Sequence, residues 1–497
     1  MHFKQQIGLN TFRTEGIKIK KAFILLNPEV QIFIQDLRNA IYLCQSISTT
    51  PTLLLDPSVK VPTEIQELVN GGQINIDMRG IQKNSSILSA LDGTPLDEEV
   101  LLVSTGSTEL INHYCQERLK SERRSNLRWN ILSSDYARYA LLDRQKSLSD
   151  FIPADTEQWL KSLLDRYGNN EILCSISLLG KIETVIIGES IIDEYIYCDA
   201  LGKVSKDPLV AFLKKEKVSQ AGGVLAAAKH FAGLGSDTTL LSEVGLVEMP
   251  WVTDDLGMSG NISYDLDSAF TSIIKTRYVD RASNVRVFET YSLPSNYSSS
   301  NFERRLTELL NSQNFSNTNF VVMDYGHELF DTNIIKMLLN SPLNLSINAQ
   351  SNAGNRGFNT IARYSGAKNV FLNGSEVQLE TRNKNSDLVD VVPVFAQDLN
   401  FSEAYVTNGS RGIICWSALD GQFVAPAFAP TIVDRTGAGD ATLAVISAMR
   451  AAGIPREIAA FYGNIAGALL VGTIGNEVSI TSQMLLSEAT KILRKVL

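Results

Sequence analysis

The sequence predicts an α/β protein: a C-terminal doubly wound, mostly parallel sheet with a small β lid, preceded by a separate, smaller α/β domain. Three observations predict it. Strand-sized apolar runs alternate with helical patterns along most of the chain. Polar or glycine-rich segments recur where those strands end, as an open parallel sheet needs if it is to build a cleft at its carboxyl edge. A chain of 497 residues also exceeds one ordinary core, so two or three domains are expected.

The elements follow in order. Candidate strands Ala22–Leu26, Thr52–Asp56, Ile74–Asp77 and Val100–Ser104 come first, with helical patterns at Glu29–Ser46 and Ser107–Lys120. The turn around Gly106 reads as a tight strand-to-helix connection. Residues 1–150 thus read as an α/β domain of unknown function, and 151–180 as a linker and helix, with Asp155–Tyr167 helical. The larger domain spans 181–497. It opens with the strand Thr184–Gly188, and Tyr195–Val218 has the alternating, polar-interrupted look of exposed strands. A small-residue helix at Ala221–Leu234 follows. Further strands are expected at Thr238–Glu243, Asn319–Met323, Asn344–Ile347, Asn369–Leu372, Ala404–Thr407 and Gly412–Trp416. Ser295–Asn301 reads as a surface loop. The last ~65 residues read as helical, broken near Gly453–Pro455 and Gly472–Gly475.

Composition excludes several function classes. Hydrophobic content of 44% with 20% charged residues is that of a soluble globular protein, and a net charge of −9 gives no nucleic-acid footprint. No apolar run is long enough to span a membrane, and no secretory signal is visible, so a cytoplasmic protein is expected. The five cysteines are scattered with no Cys-x-x-Cys pair, which fits a reducing compartment. The four histidines do not pair at metal spacing, so His-ligated metal catalysis is not expected.

The most informative stretch is Asp434-Arg-Thr-Gly-Ala-Gly-Asp440, followed by the apolar run Ala441–Met449. It reads as a glycine turn feeding a helix with a carboxylate in its first turn. The N–H groups of such a helix start are unpaired and the dipole adds positive charge, so the turn suits an anion. Gly437 and Gly439 let the backbone approach that anion, and Asp440 sets a base beside it. A carboxylate that takes a hydroxyl proton next to donors for a phosphoryl group is the minimum equipment of a small-molecule kinase.

Other segments line up with this turn in one order: Gly188-Glu-Ser-Ile-Ile-Asp193-Glu-Tyr, Gly222-Gly223, Asp324-Tyr-Gly326, Asn348 to Arg356, Asn373-Gly-Ser-Glu376 and Thr407 to Gly412. From about Lys181 onward the chain resembles the ribokinase-like (PfkB) carbohydrate kinases, with Gly437-Ala-Gly-Asp440 similar to the family's most specific signature and Asn373-x-x-Glu376 to its second motif. Within the family it looks most like the heptose-phosphate kinase branch. The resemblance implies an ATP- and Mg²⁺-dependent kinase of a sugar or sugar phosphate. Asp440 would be the base, and the N–H groups of Ala438, Gly439 and Asp440 the anion hole. Asn373 and Glu376 would organise Mg²⁺ and its waters. Thr407, Gly409 and Gly412 would lie along the nucleotide, with Asn464 near its base or ribose. Asp193 would bind sugar hydroxyls, and Gly222 and Gly223 would let the sugar lie against backbone. Arg356 and Lys206, with Arg277 behind them, are the candidate cations for a phosphate already on the sugar. Tyr195–Val218 would form the lid, whose apolar Tyr195, Ile196 and Tyr197 allow a homodimer.

Two departures shape the expectation. Gly222-Gly223 is followed by Val-Leu-Ala-Ala-Ala without the amide usual in that branch, which leaves the acceptor's identity open. Heptose kinases of this kind are often fused to a nucleotidyltransferase that requires a His-x-Gly-His turn. His2 and His113 are too isolated to supply one, so no such activity is expected of the N-terminal half. The alternatives that remain are a kinase of nucleosides or other small alcohols on the same fold, and a non-catalytic metabolite sensor.

Overall fold

The computed structural model describes residues 152–497 apart from 208, 258, 260, 268–270, 284, 295–298, 312–317, 429–433 and 474. Of the first 151 residues it describes five strands and Leu148. The expected helices Glu29–Ser46 and Ser107–Lys120 and the Gly106 turn lie outside the described residues. The chain divides into two compact units, one of Met1–Ser147 with Gly257–Gly260 and one of Leu148–Leu256 with Asn261–Leu497.

In the first unit, β1 (Ile19–Leu25), β2 (Thr52–Leu54), β3 (Asn75–Asp77), β4 (Glu99–Ser104) and β5 (Arg128–Ser133) form a parallel sheet in the order β3-β2-β1-β4-β5. Strand β5 lies in the polar, Arg- and Ser-rich stretch Ser121–Ser149 and is not among the expected strands.

The second unit is built on nine strands: β6 (Glu183–Gly188), β9 (Asp237–Glu243), β10 (Ile262–Asp267), β13 (Thr318–Asp324), β14 (Leu345–Ala349), β15 (Asn369–Asn373), β16 (Glu403–Thr407), β17 (Ile413–Ser417) and β18 (Gly421–Ala425). Their order is β10-β9-β6-β13-β14-β15-β16-β17-β18. All neighbours are parallel until β16, after which β17 and β18 turn back as an antiparallel edge. Central strands such as β13 and β14 are almost wholly buried, as parallel strands covered on both faces must be.

Ten helices flank or follow these strands among the described residues: α1 (Ala154–Ser175), α2 (Val224–Gly233), α3 (Met249–Gly257), α4 (Ser299–Asn311), α5 (Thr332–Asn340), α6 (Gly374–Glu380), α7 (Leu388–Asp398), α8 (Ala438–Ala451), α9 (Arg456–Leu470) and α10 (Ser482–Val496). Helix α1 continues past the expected stop at Gly168, which sits at φ 72° as a kink inside it. The stretch Ser295–Asn301, expected as a loop, instead contributes its last residues to α4. Phe302 and Leu306 bury one face of that helix, so packing overrides local composition. Among the described residues no helix is long and apolar enough to cross a membrane.

A second sheet of four strands carries β7 (Ser190–Lys203), β8 (Val210–Gly223), β11 (Ile273–Asp280) and β12 (Val285–Ser292) in the order β12-β11-β7-β8. Only β7 and β8 were foreshadowed by the sequence pattern. Ala221–Gly223, expected to open a helix, ends β8 by pairing with Ser190–Ile192, and α2 begins one residue later.

Candidate active site

The loop after β13 meets both the start of α8 and the small sheet, with the Tyr325 hydroxyl on Asp440 and Lys275 over the Tyr325 ring. The turn before α8 is set by Gly437, the N-cap, at φ 77°. A Cβ there would overlap the Asn476 amide, so both the left-handed backbone and the close approach require glycine. The first helical bond is Ala441 N–H to the Gly437 carbonyl at 3.0 Å. The N–H groups of Ala438, Gly439 and Asp440 have no partner among the described residues. Three parallel donors at a helix start, with the dipole behind them, form an anion site.

Asp440 lies in this first turn, and the Tyr325 hydroxyl donates to its Oδ1 at 3.3 Å. Burial pushes its pKa up to about 7. The Tyr325 hydrogen bond and the Lys275 charge oppose the rise, and the Asp193 charge adds to it. A carboxylate poised there can accept a hydroxyl proton near neutral pH.

Asp193 reaches the same space from β7. The strand register sets Gln220, Asp193, Lys275 and Tyr291 in one row across the small sheet. The next inward row holds Val218, Tyr195, Arg277 and Glu289. Arg277 Nη1 donates to Asp193 Oδ1 at 2.5 Å, and Asn476 Nδ2 donates to Oδ2 at 3.1 Å. A Cβ on Gly222 would overlap the Asp193 carboxylate, so that glycine is what lets the carboxylate sit across the strand pair. Lys275 is buried, 5.6 Å from the Tyr291 ring centre and 5.9 Å from that of Tyr325. Burial lowers its pKa, against the pull of Asp193.

One buried carboxylate organises the loop after β13. Glu189 accepts N–H bonds from Tyr325 and His327 at 2.8 Å each, and from Leu329 at 3.1 Å. Burial and the nearby Asp324 raise its pKa, while the three N–H donors restrain it. Asp324 itself is taken up by Gly326 N–H, Asn359, Arg363 and Tyr364. Glu189 therefore fixes the Tyr325 ring against Asp440. His327 loses basicity to burial, down to about 4, and His230 to about 3 while its Nδ1 accepts Ile480 N–H.

On the other side, Asn373 caps α6. Its Oδ1 accepts Glu376 N–H at 3.0 Å while Glu376 Oε2 accepts Asn373 N–H at 2.8 Å, a reciprocal capping box. Among the described residues the remaining Glu376 oxygen is held only by Ser351 N–H at 3.4 Å, and burial pushes that carboxyl up to about 7. Thr407 ends β16, and Gly409 and Gly412 form the turn to β17. Asn464 is buried on α9 and commits its Nδ2 to the Ala425 carbonyl at 3.1 Å, which ties α9 to β18.

The structure thus gathers Asp440, the glycine turn, Asp193, Gly222 and Gly223 into one cleft. Arg356 and Lys206 are exposed, Arg356 in the loop after β14 and Lys206 on the turn between β7 and β8. The buried cations at the cleft are Lys275 and Arg277. Sequence reasoning missed Glu189, Lys275, Tyr325 and Asn476. The one signal for Lys275 and Arg277 was their period-two spacing inside an otherwise strand-like run.

Residues 350–482 match the model of the pfkB family carbohydrate kinases. The bifunctional protein HldE of Koribacter versatilis is 26% identical over 303 residues, covering 59% of this chain and 60% of that protein. The D-beta-D-heptose 7-phosphate kinase of Bordetella bronchiseptica is 25% identical over 322 residues, 63% of this chain and 97% of that one. The chain therefore spans about three fifths of the bifunctional relative and nearly all of the heptose kinase. Among solved structures, the ribokinase of Thermotoga maritima superposes with a TM-score of 0.52 at 16% identity, covering 62% of this chain and 99% of that one. The Arabidopsis thaliana ribokinase solved with ribose and ATP gives 0.51 at 14% identity, covering 62% and 98%. The larger unit thus matches the pfkB family carbohydrate kinases over residues 350–482, is distantly similar to heptose 7-phosphate kinases, and shares the fold of the ribokinases.

Proposed function

We propose that the larger unit transfers the γ-phosphoryl group of ATP to a hydroxyl of a sugar or sugar phosphate, in the manner of the heptose-phosphate kinases. The observation that carries this is Asp440: a carboxylate with a pKa near 7 in the same helical turn as three unpartnered N–H donors. The acceptor hydroxyl would pass its proton to Asp440 as its oxygen attacks phosphorus in line. The N–H groups of Ala438, Gly439 and Asp440 would take up charge on the phosphoryl oxygens. Asp193 would hold acceptor hydroxyls over Gly222 and Gly223. Thr407, Gly409 and Gly412 would line the nucleotide, and Asn464 would support that wall through its bond to β18. Arg356 and Lys206 carry no part in this reading. An acceptor phosphate would be held by Lys275, the buried ammonium beside Asp193.

The donor set at α6 fits Mg²⁺. Glu376 keeps one weakly held oxygen on a carboxyl that burial has left short of stabilisation, and a cation beside it would restore the charged form. Mg²⁺ keeps most of its water shell, so Glu376 and Asn373 would hold it through waters. Bound there, it would neutralise charge on the phosphates of ATP.

The polar row Gln220, Asp193, Lys275 and Tyr291 suits hydroxyls and anions better than the apolar face of a nucleoside base. Residues 1–147 form a distinct unit to which we assign no chemistry. The test is ADP release from Mg²⁺–ATP against sugars, hexose and heptose phosphates and nucleosides, with Asp440→Asn as blank. Release with one acceptor class, lost in the blank, is expected. Silence with every acceptor despite ATP binding would favour a sensor.

A further inference from the structure

Arg286 belongs to β12, the outer strand of the small sheet, yet its guanidinium leaves that sheet for the glycine turn. Its Nη2 donates to Asp434 Oδ2 at 2.5 Å and to Thr436 Oγ at 2.8 Å. Thr436 is the residue before Gly437, so the contact falls at the entrance to the anion site. Asp434 is a hub. Its Oδ1 accepts Thr436 N–H and hydroxyl, each at 3.0 Å, and its Oδ2 also accepts Gly475 N–H at 3.0 Å. The loop it holds through Gly475 then turns back to the small sheet. Asn476 N–H donates to Gln220 Oε1 at 2.8 Å, and its Nδ2 reaches Asp193. Both ends of the small sheet, β12 and the β7–β8 pair, are thereby tied to the turn that starts α8.

Stability does not account for this arginine. Its side chain is 41% exposed, and an ion pair so open to water contributes little to folding. What the contact does offer is geometry, because two hydrogen bonds from one nitrogen and the Asp434 bonds to Thr436 N–H and Gly475 N–H leave the turn little freedom. The Arg286 guanidinium also sits 5.9 Å from the ring centre of Tyr195, which limits its own movement.

We propose that Arg286 is a positioning residue that acts through Asp434, setting the glycine turn to suit phosphoryl transfer when the small sheet sits over the acceptor. The proposal rests on the kinase reading and adds to it a link between the acceptor lid and the phosphoryl site. It makes two kinetic statements. Loss of Arg286 should fall on kcat and spare the acceptor KM, because Asp193 and Lys275 are untouched. Loss of Arg286 and loss of Asp434 should not multiply, because they break one connection.

The experiment measures kcat and KM for wild type, Arg286→Gln, Arg286→Lys, Asp434→Asn and the Arg286→Gln/Asp434→Asn double variant, with thermal melts on each. Arg286→Gln is expected to lose on the order of ten- to a hundredfold in kcat. Its acceptor KM should stay within about threefold, and its melting temperature within about 2 °C. Arg286→Lys should recover part of the rate, and the double variant should be no slower than Asp434→Asn. If Asp434→Asn melts early, Thr436→Val replaces it in the cycle. Unchanged kcat in Arg286→Gln, a loss confined to acceptor KM, or losses that multiply in the double variant would overturn the proposal. A wild-type protein that releases no ADP with any acceptor would end the kinase reading and this one together. An active wild type with an indifferent Arg286 ends only this one.

Discussion

The pH profile offers the most direct test of Asp440. The pKa of about 7 arises from burial first, with the Tyr325 hydroxyl and Lys275 pulling down and Asp193 pushing up. A base works only when ionised. For a single group titrating near 7, about half the molecules are competent at pH 7, roughly a tenth at pH 6 and roughly nine tenths at pH 8. Removing the Tyr325 hydroxyl takes away a donor to the ionised form. That contact is 3.3 Å long, so its contribution is modest. A rise of about half to one pKa unit is expected in Tyr325→Phe. At pH 7 this leaves about a quarter to a tenth of the base ionised, a loss of about two- to fivefold. At pH 9 the variant and wild type should nearly coincide. The assay is kcat/KM for the acceptor at saturating ATP from about pH 5.5 to about pH 9. A wild-type limb below that range, or a limb that moves down in Tyr325→Phe, would refute the reasoning.

Other expectations follow from the same contacts. Asp440 has a folded-state pKa raised above its ordinary 3.8, so its contribution to stability is full below that value and lost as pH rises through about 7. Asp440→Asn, which cannot ionise, should therefore melt above wild type at pH 8, with the gain vanishing toward pH 4; equal melts across that window would count against the shift. Gly222→Ala sets a methyl into the Asp193 carboxylate, which Arg277 and Asn476 hold in place. Acceptor KM should rise about tenfold or more with ATP KM unchanged. Asn373→Ala breaks the α6 capping box and should cost about 1 kcal/mol in a denaturation curve. Glu376→Gln should instead raise the Mg²⁺ concentration needed for half-maximal rate, and an unmoved Mg²⁺ requirement would remove Glu376 from the metal site.

The central parallel strands and the glycine turn were legible because each is encoded locally. Thr184-Val-Ile-Ile reads as a buried strand whatever surrounds it, and Gly437-Ala-Gly-Asp440 carries its own backbone requirement. The small sheet was half legible. In β11 the inward positions are Ile273, Lys275, Arg277 and Val279, so charge lies where apolar residues mark a strand's buried face. The reversal arises because this face meets a polar cleft, and no local pattern distinguishes that from a surface strand. Strand β12 is exposed along most of its length and gives no burial signal at all. Arg356 and Lys206 were reasonable cations by residue type, but both stand exposed in turns, and type does not say where a turn will carry a residue. Lys275 enters the cleft through its register with Asp193, a fact of strand pairing between segments about 80 residues apart.

The position of β6 has a consequence for how the larger unit is made. It is the first strand of its sheet in sequence and stands beside β13 at the centre, Glu183 pairing with Thr318. During synthesis β6 can join β9 early, but its other edge stays open until β13, which begins at Thr318, has left the ribosome. Strand β6 is apolar and buried in the finished sheet, and an open apolar edge is the kind that recruits other chains. The unit should accordingly fold late and slowly for its size, as its long-range pairing dictates. Chains halted before residue 318 should aggregate rather than accumulate as a soluble half.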